Sequence, residues 1–101
     1  MNASALITGA ATRIGKEMAL GLAEQGINIV IHFMSSEKEA KQVADRARKF
    51  GVRAEVIKAN LLNDGEVSGL ISEASALIGT PLNILINNTE TFPDFWDIKK
   101  R

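Results

Sequence analysis

The chain has no cysteine and no tyrosine, a single histidine and only 5% aromatic residues. Without cysteine it has neither disulfides nor thiolate metal ligands, which suits a reducing compartment. An excess of one charge is also missing, because twelve basic and twelve acidic residues cancel. No positive field is available to draw in a phosphate backbone, so nucleic acid is not an expected partner. No apolar run approaches the roughly 18 residues of a membrane span. Met1 to Ile7 carries no basic segment, and its apolar stretch is broken at Thr8 and Gly9, so it does not read as a secretory signal. These absences predict a cytoplasmic location. There is also no internal repeat, low-complexity stretch or linker run, so residues 1–101 read as one domain without an internal boundary.

What the chain does have is the composition of an ordinary globular domain, 46% hydrophobic and 24% charged. Short apolar runs alternate with segments of helical period, the pattern of βαβ units around a parallel sheet. Ala5-Leu6-Ile7 is the first strand candidate, and after it Ile14, Met18 and Leu22 recur at spacing four until Gly26 ends the helix. Asn28 to Phe33 reads as a second strand. Ser35-Ser36 then offers a cap to a helix with Ala40, Val43, Ala44, Ala47 and Phe50 on one face before Gly51. Arg53 to Lys58 is a third strand. Asn63 or Asp64 caps a third helix, striped by Val67, Leu70, Ile71, Ala74, Leu77 and Ile78 and stopped by Gly79 and Pro81. Asn83 to Asn87 is a fourth strand, and the tail from Thr89 to Arg101 carries no assignable element. Right-handed crossovers then predict a partial doubly wound Rossmann sheet of the α/β class, with three helices and strand order 3-2-1-4. A ligand crevice is expected at the carboxyl ends of strands one and four.

Thr8 to Gly15 (TGAATRIG) follows a strand and opens a helix, where unpaired backbone N–H groups and the helix dipole favour a phosphate. Glycine suits a tight turn at Gly9 and close helix–strand packing at Gly15, although the spacing is not G-x-G-x-x-G. Arg13 places a cation at a helix start, against the dipole, unless an anion sits between them. His32 stands alone on a strand, without carboxylate or cysteine neighbours, and reads as structural rather than metal-binding.

The same segment resembles the glycine loop T-G-x-x-x-G-x-G of the short-chain dehydrogenase/reductase family, with Arg13 at its middle glycine. Asn87-Asn88, ending the fourth strand, resembles the family's N-N-A-G motif. The resemblance spans roughly Ala3 to Phe92 and corresponds to the first part of a member. In look it is nearest the pteridine-reductase-like and 3-oxoacyl-carrier-protein-reductase-like branches. It implies that Gly9, Arg13, Ile14 and Gly15 contact the pyrophosphate and adenosine ribose of a dinucleotide, and that Asn87 flanks the cofactor. Asn60, followed by Leu61, stands where the family carries an aspartate for the adenine amino group; asparagine keeps an acceptor oxygen without the charge. Thr89-Glu90 replaces the small residues that complete N-N-A-G.

Cofactor choice turns on the residues ending the second strand, because an acid there accepts from the ribose 2′-OH and repels a 2′-phosphate. Phe33 to Ser36 contains none, although Glu37 follows. NADP is therefore expected over NAD, with Ser35, Ser36 and Arg13 as phosphate partners. Family chemistry uses a tyrosine in Y-x-x-x-K as general acid, and no tyrosine occurs among these 101 residues. The expectation is a nucleotide-binding half-domain, truncated before the catalytic segment and not catalytic by itself. Two alternatives stay open: a non-catalytic module that docks through the fourth strand and the Phe92, Phe95 and Trp96 tail, and the functionless product of an interrupted reading frame.

Overall fold

Four strands form one parallel sheet in the computed structural model, which describes residues 3–11, 13–60 and 64–86, with backbone alone for 64–68. The elements in chain order are β1 (Ser4–Ile7), α1 (Arg13–Glu24), β2 (Asn28–Phe33), α2 (Glu37–Arg48), β3 (Ala54–Lys58), α3 (Asp64–Ile78) and β4 (Ile84–Ile86). The strand order β3-β2-β1-β4 is the one expected from the sequence. Every residue of β1 and β2 is buried. Helices covering both faces of a parallel sheet give such near-continuous apolar strands, here interrupted by the buried polar residues Ser4, Asn28 and His32.

Strand pleating sorts the core into two layers. Ala5, Ile7, Ile29, Ile31 and Phe33 pack with α1 and α2, while Leu6, Val30 and Ile57 meet Leu70, Ala74 and Ile78 of α3. Each such leucine or isoleucine, fully buried, contributes about 1.5–3 kcal/mol relative to exposure. β1 pairs with β2 from Ser4 opposite Asn28 to Ile7 opposite Ile31, and with β4 from Ala5 opposite Ile84 to Ile7 opposite Ile86. Thus β1 lies at the centre, where strand order reverses. β4 lies at an edge, and its three residues are only half-buried.

The helices correct three expectations. On α1 the buried line is Gly15, Ala19, Leu20 and Ala23, one position round from Ile14, Met18 and Leu22. Small residues let this helix approach the sheet closely, and the larger side chains flank the contact. Phe50 lies beyond the end of α2 and is 50% exposed, so the α2 face is Ala40, Val43, Ala44 and Ala47 alone. Among the described side chains of the α3 stripe, Leu70, Ala74 and Ile78 are buried, while Ile71 and Leu77 are exposed on its flanks. A helix lying on one face of a sheet buries a narrower line than its apolar content suggests.

Candidate functional site

The loop after β1 is built around a glycine and a histidine. Thr8 continues the strand by donating its N–H (3.0 Å) and its hydroxyl (3.3 Å) to the Ile86 carbonyl, which joins the carboxyl ends of β1 and β4. Gly9 then turns the chain with φ at 62°, a left-handed conformation that glycine adopts without the steric cost of a Cβ. Its N–H donates to His32 Nδ1 at 3.1 Å, and the next amide, of Ala10, donates to the His32 carbonyl at 3.1 Å. The first two amides of the turn are therefore fixed by one residue of the neighbouring strand.

Helix α1 opens at Arg13, whose φ of 56° is the only positive value of a non-glycine residue among the described residues. That conformation costs on the order of 1–2 kcal/mol in an L-residue, and such strain gathers at ligand sites. Ile14, the next residue, is 69% exposed, whereas Gly15 is buried against the sheet. The four N–H groups of a first helical turn lack intrahelical partners. Arg13 and Lys16 bring two cations to this end of α1, lining an open groove of about 530 Å³ with Ile14, Glu17 and Met18. A second cleft of about 200 Å³ runs between α1 and α2, with Ala11, Arg13 and Lys16 on one side and Glu39, Gln42 and Arg46 on the other.

Beyond β2, Phe33 is buried and Met34 and Ser35 are exposed. Ser36 stands at the cap position of α2, but its side chain makes no capping bond to the helix, which corrects half of the expected capping role. Glu37, the nearest acid, forms an ion pair with Lys41 at 3.1 Å, one turn along α2. Asn60 is exposed just past the end of β3. Gly9, Arg13, Ile14, Gly15, Ser35, Ser36 and Asn60 thus all follow strands at one end of the sheet. Leu61 and Asn87 lie outside the described residues, as do Asn88, Thr89 and Glu90.

His32 was read from the sequence only as a structural residue, and its contacts are more particular than that. It is 2% exposed. Because Nδ1 accepts from Gly9, the proton of the neutral ring sits on Nε2, which donates to the Ala59 carbonyl at 2.9 Å. Burial lowers its pKa, with the Ala59 hydrogen bond acting the other way. The signal in the sequence was the single polar residue inside the run Ile29–Phe33, because a buried imidazole must find partners for both nitrogens.

Strand order, the switch point between β1 and β4 and the glycine loop together define a doubly wound Rossmann fold. Residues 3–95 match the short chain dehydrogenase family, and the chain belongs to it. It is 38% identical over 88 residues to a 3-oxoacyl-(acyl-carrier-protein) reductase, FabG, of Staphylococcus epidermidis, covering 87% of this chain and 36% of that protein. It is 45% identical over 87 residues to the hydroxynaphthalene reductase-like protein Arp2 of Metarhizium anisopliae, covering 86% and 32% respectively. Among solved structures it is similar to the FolM alternative dihydrofolate reductase 1 of Brucella canis, complexed with NADP. There the TM-score is 0.82 and the identity 38%, covering 91% of this chain and 36% of that one. The chain therefore spans about a third of the length of the relatives it matches.

Proposed function

We propose that the chain binds NADP(H), as the nucleotide-binding portion of a short-chain dehydrogenase-type oxidoreductase. The observation that carries this reading is the acid-free end of β2, Phe33 to Ser36, whose next residue, Glu37, pairs with Lys41, together with the cations Arg13 and Lys16 at the start of α1. A 2′-phosphate at the end of β2 meets the hydroxyls of Ser35 and Ser36, with no carboxylate between Phe33 and Ser36 to repel it. The site also fits the pyrophosphate, since Gly9 leaves the turn without a Cβ and α1 presents its amino-terminal N–H groups. On this reading Gly9, Arg13, Ile14 and Gly15 hold the pyrophosphate and ribose, Ser35 and Ser36 the 2′-phosphate, and Asn60 with Leu61 the adenine, while Asn87 flanks the cofactor. When bound, the nicotinamide supplies a hydride. The NADP complex of the Brucella relative supports the choice.

The 101 residues form a single nucleotide-binding unit in this proposal and do not reduce a carbonyl by themselves. Hydride delivery needs a proton for the developing alkoxide, and a positioned acid contributes on the order of 10²–10⁴-fold in rate. The sequence offers no tyrosine for that role. Calorimetry with both cofactors tests the binding, with NADPH expected to bind more tightly; tighter NADH binding would overturn the cofactor assignment. NADPH oxidation followed by absorbance over ketones, 3-oxoacyl thioesters and dihydropterins tests the catalytic reading. Substrate-dependent turnover that co-purifies with the chain would show it wrong. The half-buried edge of β4 favours self-association as a second property, and sedimentation giving a monomer at high concentration would refute it.

A further inference from the structure

We propose that His32 is the positioning residue of the glycine loop: its neutral, Nε2-protonated ring holds the Gly9 amide through Nδ1 and ties the turn to the end of β3 through Nε2. Three contacts carry this assignment. Gly9 donates to Nδ1 at 3.1 Å, Ala10 donates to the His32 carbonyl at 3.1 Å, and Nε2 donates to the Ala59 carbonyl at 2.9 Å. One residue of β2 thus connects the segments that follow β1 and β3, and Phe33 extends the link by accepting from the Ala59 amide at 3.2 Å. A left-handed turn has no ladder of its own to hold it, so the partner of its first amide decides where the following amides point. Gly9 and Ala10 are the residues so held.

The arrangement works in one protonation state. A protonated ring carries N–H on both nitrogens and presents a donor to the Gly9 donor, so the contact must break or the proton must leave. Burial favours the neutral form. Both ring nitrogens are engaged by backbone groups, and among the described residues no charged side chain bonds the ring. Of the elements packed around it, β1 carries no titratable side chain and β3 carries Glu55 and Lys58. The described side chains of α3 include Glu73, which is exposed, and Arg13 follows the turn itself.

The test is nuclear magnetic resonance on the ¹⁵N-labelled chain, with two variants. Near neutral pH, Nδ1 is expected without a proton and Nε2 with one, and the Gly9 amide resonance is expected to move on acidification with the midpoint of the His32 ring. In His32→Asn the amide oxygen stands close to the position of Nδ1 and accepts without titrating, so Gly9 keeps its protection from exchange and loses its pH dependence. In His32→Leu, Gly9 exchanges about tenfold faster, as expected for the loss of a hydrogen-bond acceptor, while the amides of Leu6 and Val30 report that the core stays intact. A proton on Nδ1, or a Gly9 amide indifferent to His32 titration, overturns the assignment, and both readings come from the unaltered chain even where a variant fails to fold. The consequence for affinity rests on the nucleotide reading: His32→Leu is expected to weaken NADPH about tenfold and His32→Asn less than twofold. If Gly9 and His32 titrate together but no nucleotide binds, the nucleotide reading fails and the positioning role stands.

Discussion

The two ends of the sheet are held together by different chemistry. At the amino end, short neutral side chains close the strand starts on one another. Ser4 donates its N–H to Asn83 Oδ1 at 3.1 Å and accepts the Asn83 N–H at 2.9 Å, and its hydroxyl meets that of Thr80. Asn28 donates its N–H to the Ala3 carbonyl at 2.9 Å and accepts the Arg53 N–H on Oδ1 at 3.0 Å. At the carboxyl end the fixed groups are a left-handed glycine, a strained arginine and a buried histidine, with Arg13 and Lys16 over an open groove. The amino end satisfies its strand termini internally, whereas the carboxyl end leaves a helix start and two cations facing space. Open α/β sheets bind ligands at the carboxyl ends of their strands, and the contrast supplies a physical reason. Substitutions at one end are expected to change stability, and at the other to change binding.

The largest expected effect is at Gly9. Gly9→Val places a β-branched side chain at φ 62°, a region open to few L-residues and least to branched ones. The turn is expected to leave the left-handed region and lose its bond to His32, with NADPH affinity falling on the order of 100-fold, about 2.7 kcal/mol. Calorimetry checks this, and binding within threefold of the parent would remove the functional half of the contrast. Asn28→Ala tests the other half. It deletes the acceptor of the Arg53 amide at a residue 5% exposed, which costs about 1–3 kcal/mol and lowers the melting temperature by roughly 4–8 °C for each kcal/mol. Affinity per folded molecule is expected to stay unchanged. A large loss of NADPH binding in a stable Asn28→Ala protein would show that the two ends are not separable.

Much of this contrast was legible in the sequence, and the part that was not has a common cause. β1 and β2 were readable because strands buried on both faces leave near-continuous apolar runs, and Gly26, Gly51 and Gly79, all at positive φ, marked the helix ends. The glycine loop was readable because its residue types sit at a strand–helix junction. Less legible was anything that depends on which neighbour a residue meets. Ile14, Met18 and Leu22 had the right period, but Gly15, Ala19 and Ala23 were buried, because helix α1 approaches the sheet through its small residues. Ile71 and Leu77 had the right spacing and ended on the flanks of α3. His32 was visible as an odd residue in an apolar run, yet its partners, Gly9 and Ala59, are 23 and 27 residues away along the chain and meet it only through strand pairing.

A subtler change sharpens the binding end alone. Ser35→Asp puts a carboxylate just past β2, where Glu37 does not compete because it pairs with Lys41. A carboxylate there repels a 2′-phosphate and accepts from a 2′-OH, so the preference for NADPH over NADH is expected to fall on the order of tenfold, about 1.4 kcal/mol. Competition calorimetry with the two cofactors reads the ratio. An unchanged ratio would place the 2′-phosphate away from Ser35.

The smallest expected effect is a dependence of stability on pH that belongs to the carboxyl end. The described hydrogen bonds of the amino end join Ser4, Asn28, Thr80 and Asn83 to backbone and to one another, and none of these side chains titrates. At the carboxyl end, burial holds the His32 pKa below its ordinary 6.5, while the unfolded chain keeps the ordinary value. Between the two values the unfolded chain binds the proton and the folded chain does not, so stability there rises with pH. The contribution is complete above 6.5, and is lost progressively as the pH falls through the depressed folded value. Melting temperatures taken from pH 7.5 down to pH 5 are therefore expected to fall more steeply for the parent than for His32→Asn, which keeps an acceptor for Gly9 and has no proton to gain. Asn28→Ala is expected to lower the curve by the same amount at every pH. Parallel curves for the parent and His32→Asn would mean that the histidine does not couple protonation to the fold, and the chemical difference between the two ends would then reduce to their geometry.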